Sequence, residues 1–115
     1  MKKQFILILV IPFLCVTHKT LLSSNYTHTA DELHKICFGS INFEQQSYCL
    51  GFIIGTTDTL KRLNKICIPK AIKGDQIRDI VLSFFDKNNN MHNTSASQLI
   101  SNSLDQKFQC TKKRK

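Results

Sequence analysis

Apolar residues recur at helical spacing in four stretches of this chain, with polar breaks between them. The first is short, over residues 30–38, with Leu33, Ile36 and Cys37 on one side. Thr29 and Glu32 stand in the Thr-x-x-Glu relation of a capping box at its start, and Gly39 is placed to end it. The second and longest runs over residues 42–64, opened by Asn42 with Gln45 three positions later. The third carries Ile77, Ile80, Val81, Phe84 and Phe85, the i, i+3, i+4, i+7, i+8 pattern of a core-facing stripe. Its N-cap falls on Lys73 or Gly74, neither of them a strong capping residue, while Asp75 and Asp79 suit the positive end of the helix dipole. Asn88, Asn89 and Asn90 break the pattern. A fourth helix restarts at Ser95, with Gln98 in capping position and a stripe of Ala96, Leu99, Ile100, Ser103 and Leu104, and ends near Phe108. Residues 65–73 contain Ile66, Ile68 and Ile72, but Pro69 argues against a central strand. The pattern therefore predicts an all-α, four-helix domain.

One stretch of the second helix defies ordinary propensity. Gly51 and Gly55 sit in its interior, each costing about 1 kcal/mol relative to alanine. Together with Asp58 they fall on one helical face. A face without side chains lets another backbone approach, so the expectation is tight packing of a second helix or of a partner chain there. Asp58 closes the stripe, able to pair with Arg62 or to accept a hydrogen bond from a loop. Asp58, Lys61 and Arg62 exclude the membrane reading of a Gly-x-x-x-Gly motif.

The start of the chain changes the compartment. Lys2 and Lys3 precede an apolar run over residues 5–16 that is too short for the ~20 residues of a membrane span and is interrupted by Pro12. It reads as a signal peptide over residues 1–24, cleaved between 17 and 24, which leaves a domain over 25–110 and a basic tail over 111–115. Of five cysteines, Cys15 leaves with the signal, and Cys37, Cys49, Cys67 and Cys110 remain. An even number in a small exported chain points to disulfides, since a core this small gains from cross-links. Four cysteines allow three connectivities. The short turn after the first helix sets Cys37 and Cys49 at similar heights, which ranks 37–49 with 67–110 first. A zinc site using His34 and Cys37 is the weaker alternative, because no Cys-x-x-Cys is present.

Charge excludes one function class. From Asn25 onward there are 13 Lys/Arg and 8 Asp/Glu, and four of those cations are Lys112, Lys113, Arg114 and Lys115. Without that tail the domain is nearly neutral, so it lacks the clustered basic surface that nucleic acid requires. His28, His34 and His92 are scattered and read as surface residues, and no motif assembles a nucleophile with a base.

The ordered set Cys-Leu-Gly-Phe-Ile-Ile-Gly-Thr-Thr-Asp over 49–58, Cys-Ile-Pro over 67–69, Gln76-Ile77, Val81-Leu82, Gln98-Leu99-Ile100 and Phe108-Gln109-Cys110 resembles the Rap/Tai family of type VI secretion immunity proteins. The resemblance spans residues 33–110 and includes Pro69. It implies a small, helical, disulfide-bearing periplasmic protein of a Gram-negative bacterium, commonly a homodimer, with no catalysis of its own and no cofactor or metal. The implied partner is a peptidoglycan amidase effector whose active-site cleft it occludes. After signal removal no stable membrane insertion is expected. A helical envelope chaperone or stress factor with no toxin partner is the competing reading.

If a segment plugs such a cleft, residues 87–93 are the best placed. They join two well-patterned helices, so their ends are held while the tip projects. Asn88, Asn89 and Asn90 offer amide groups, Met91 an apolar anchor, and His92 completes the segment with Asn89, Asn90 and Met91 as candidate partner-binding residues. A plain solvated connector is the alternative.

Overall fold

The computed structural model describes residues 28–39 and 42–111. The signal peptide expected over 1–24 and the cations at 112–115 lie outside these residues. Four helices follow one another: α1 (Ala30–Phe38), α2 (Phe43–Arg62), α3 (Gly74–Lys87) and α4 (Ala96–Lys107), with one 3-10 turn at Asn89–Met91 before α4. No strand occurs among the described residues; one antiparallel bridge joins Thr29 to Ser95. The all-α, four-helix expectation holds.

The caps explain where the helices begin. Thr29 accepts the Glu32 N–H at 3.2 Å, and the Glu32 carboxylate accepts the Thr29 N–H at 2.8 Å, so two otherwise orphaned donors are satisfied reciprocally. Asn42 accepts the Glu44 N–H at 2.9 Å and starts α2. Lys73 offers α3 no side-chain acceptor, and the Gln76 side chain instead accepts the Lys73 N–H at 2.8 Å. Ser95 accepts the Gln98 N–H, while the Gln98 amide turns forward to Asn102. Gly39 ends α1 with an ordinary right-handed φ of −77°, not a left-handed one. What requires glycine there is closeness, because an added Cβ would collide with the Lys35 carbonyl oxygen. α2 stops at Arg62, short of the expected Asn64; Asn64 takes the left-handed φ of 54° that asparagine tolerates well.

The core gathers between the four helices. Leu33 of α1, Ile53 of α2, Val81 of α3 and Leu99, Ile100 and Leu104 of α4 are all fully buried. The whole predicted α4 stripe is buried, with the Ser103 hydroxyl satisfied by the Ile100 carbonyl. On α3, Ile77, Val81 and Phe85 are buried together with Leu82, while Ile80 and Phe84 are half-buried at the edge. Burying one such side chain contributes about 1.5–3 kcal/mol.

Both first-ranked disulfides form. Cys37–Cys49 ties α1 to α2 across the turn, with Cα atoms 5.2 Å apart. Cys67–Cys110 ties the α2–α3 loop to the end of the chain beyond α4, with Cα atoms 4.9 Å apart. The His34–Cys37 zinc alternative is thereby overturned, since the Cys37 sulfur is already bonded.

Candidate functional site

The segment between α3 and α4 is built from the backbone outward. Asn88 ends α3, its side-chain N–H donating to the Phe84 carbonyl at 2.7 Å. The chain then tightens through Asn89–Met91, and the Met91 carbonyl accepts both the Thr94 N–H at 3.1 Å and the Thr94 hydroxyl at 2.7 Å. The far side of the loop is clasped by α1. The first N–H groups of a helix have no partner of their own. Here Ala30 donates to the Thr94 carbonyl at 2.8 Å and Asp31 to the His92 carbonyl at 3.1 Å, while Ala96 at the start of α4 donates to the His28 carbonyl at 2.9 Å. Two helix N-termini thus satisfy one another through the residues that precede them, and the loop is fixed at both ends.

Side chains add a second lock. The rings of His34 and His92 cover opposite faces of Phe85, each with its centroid 4.0 Å from that ring and nearly parallel to it. His34 Nε2 also lies 3.2 Å from the Asp86 carboxylate. On α1, the hydrogen bond from Lys35 holds the Asp31 carboxyl below its usual range and raises the Lys35 ammonium in return. The backbone N–H of Thr29 does the same for the Glu32 carboxyl. The histidines are therefore not scattered as expected: the fold brings two of them onto one phenyl ring, and the third, His28, meets the Tyr48 hydroxyl at 2.7 Å.

The candidate plug residues divide. Asn89 and Asn90 are exposed, as is Asn93. Met91 and His92 are half-buried, Met91 against the core with its sulfur 3.7 Å from the Asn102 amide. Met91, expected as the segment's apolar anchor, thus faces the core with part of its surface still open, and the clasp to α1 holds the backbone at His92 and Thr94.

The glycine face of α2 points the other way. Gly51, Gly55 and Asp58 are exposed, and a Cβ at either glycine would meet nothing within 4 Å. No described helix packs there, which leaves a partner chain as the occupant to consider. The close approach inside the fold is made by Gly74, whose added Cβ would press on Ile54 at 3.2 Å. Asp58 lies 4.0 Å from Lys61 in place of the expected Arg62. Pro69 is exposed and accepts the Ile72 N–H, closing a turn between Cys67 and α3.

A family model described as Rap1a immunity proteins matches residues 29–110. The chain belongs to the Rap1a immunity protein family. No curated protein and no solved structure is a match. The match begins at the N-cap of α1 and ends at Cys110, so it spans the four described helices and all four bonded cysteines of this immunity protein. Membership gives it an immunity role toward an effector. None of its described helices is long and apolar enough to cross a membrane.

Four exposed large residues escaped the sequence reading of this Rap1a relative: Phe38, Phe43, Tyr48 and Leu63, with Phe43 85% and Leu63 61% exposed. Three flank the glycine face of α2 or its ends. Periodicity could have flagged Tyr48, which falls opposite the buried Cys49–Ile53–Thr57 stripe; Phe43 and Leu63 sit at helix ends, where periodicity carries little information.

Proposed function

We propose that this protein is a periplasmic immunity protein that binds a type VI secreted peptidoglycan amidase and occludes its cleft. The observation that carries the reading is the family match across the whole described fold. The loop supports the plug: its ends are held by α1 and by Asn88, while Asn89, Asn90 and Asn93 present amide groups to solvent. An amidase cleft is made to receive peptide groups, and side-chain amides offer the same donors and acceptors without a scissile bond in reach. The domain boundaries at 25 and 110, and export by residues 1–24, belong to the same proposal.

The protein acts as a homodimer through α2. Glu44, Gly51, Gly55 and Arg62 share one exposed face, and Glu44 with Arg62, like Gly51 with Gly55, stand symmetrically about Ile53. An antiparallel second copy would therefore set glycine against glycine and carboxylate against guanidinium, the self-complementarity that a two-fold contact demands.

The test pairs the purified protein with the amidase encoded beside it and follows sacculus digestion. Stoichiometric inhibition is expected. A folded protein that neither binds nor inhibits that amidase would favour the envelope-factor reading.

A further inference from the structure

The two disulfides occupy unlike surroundings. Cys49 is 0% exposed and Cys37 6%, and both belong to the core beside Leu33 and Ile53. Cys67 is exposed and Cys110 half-buried. Around this second bond Cys110 Sγ lies 3.9 Å from the Asn64 carbonyl, and the Cys67 N–H donates to the Phe108 carbonyl at 2.9 Å. Thiol–disulfide exchange needs a thiolate to reach a sulfur, so access decides which bond reacts.

We propose that Cys67–Cys110 is a thiol–disulfide exchange site for a dithiol oxidoreductase, and that Cys37–Cys49 is closed to exchange in the folded protein. The oxidoreductase thiolate attacks Cys67 Sγ; the S–S bond breaks, and Cys110 leaves as a thiolate and takes a proton. The second oxidoreductase thiolate then attacks its own sulfur in the mixed disulfide and releases Cys67, which is protonated in turn. The immunity protein gains two electrons and two protons, and the dithiol becomes a disulfide. Run in reverse, the same steps install the bond. Opening it removes the covalent tie between the residues after α4 and the α2–α3 loop and leaves the Cys67–Phe108 backbone hydrogen bond as their link, while α1 and α2 stay tied through the core.

The experiment treats the oxidised protein with graded dithiothreitol under native conditions, quenches with a maleimide and maps the labelled peptides. Cys67 and Cys110 are expected to label at least tenfold faster than Cys37 and Cys49, with the helical circular dichroism retained at that stage. Equal rates, or earlier labelling of Cys37 and Cys49, would overturn the proposal. A thioredoxin-fold dithiol protein lacking its resolving cysteine provides the second arm. A trapped adduct on Cys67 with Cys110 free is expected; no adduct, or an adduct on any other cysteine, overturns access by a protein-sized partner.

Discussion

His92 lies flat on Phe85, 11° from parallel, yet its Nε2 is buried with no hydrogen-bond partner among the described residues. The ring contact stabilises the loop, and the orphaned nitrogen works against it. His92→Phe keeps the first and removes the second, so it should leave stability unchanged or raise it by about 1 kcal/mol. His92→Ala should cost about 2–3 kcal/mol by opening a void beside Phe85. Urea denaturation of both variants decides the matter: an alanine variant as stable as the parent would mean the stack contributes nothing. None of this was legible in the sequence, where His34, Phe85 and His92 share no local pattern. The glycines teach the same lesson, since Gly51, Gly55 and Gly74 look alike in sequence and only Gly74 is crowded by a neighbour.

At the level of the element, α1 is held by charge as well as by packing. In the folded protein Asp31 titrates below its ordinary value because of the Lys35 hydrogen bond, and Glu32 because of the Thr29 N–H. Depressed carboxyl values mean that this contribution is fully present above the unfolded value of about 4 and is lost as pH falls through the folded ones. Glu32→Gln retains an acceptor for the Thr29 N–H without the charge. Its urea midpoint should fall below that of the parent at pH 7 and converge with it as pH falls through the depressed Glu32 value; a gap that persists once the carboxyl is protonated would contradict the assignment. For α2 the expectation concerns assembly. Gly51→Leu and Gly55→Leu meet open space in the monomer and replace poor helix formers, a gain of up to about 1 kcal/mol each. Melting should therefore hold or improve while self-association, read by analytical ultracentrifugation, is lost. Variants that dimerise like the parent would remove α2 as the interface.

For the whole molecule, the cross-links and the loop set the expectations. Cys67 and Cys110 are separated by 43 positions, a closure worth about 4 kcal/mol in the chain-entropy view, against about 3 kcal/mol for the 12 between Cys37 and Cys49. Native proteins hold only ~5–15 kcal/mol in all. Cys67→Ser with Cys110→Ser should thus lower the melting temperature by at least ~10 °C. A drop of only a degree or two would place the stability of this region in the Ile66 and Phe108 contacts instead. Binding should respond to the exposed half of the loop: Asn89→Arg with Asn90→Arg is expected to weaken amidase binding more than 100-fold at unchanged melting temperature. Unchanged affinity in calorimetry would move the inhibitory surface to another face.

The sequence by itself determined the helices, the reciprocal cap of α1, the α4 stripe and the ranking of disulfides, because periodicity, capping chemistry and short loops are local. Only the tertiary structure decided how faces and ends are used. Periodicity says that Cys49, Ile53 and Thr57 must be covered, and so leaves the glycines of α2 on the far side; it does not say whether another helix of the chain reaches them. Nor could it place the first N–H groups of α1 against the carbonyls of His92 and Thr94, which requires α1 and α4 to meet end to end. That meeting holds the backbone at His92 and Thr94, with Met91 and His92 half-buried and Asn89, Asn90 and Asn93 outside, because unpaired donors at a helix start take the nearest acceptors the fold supplies.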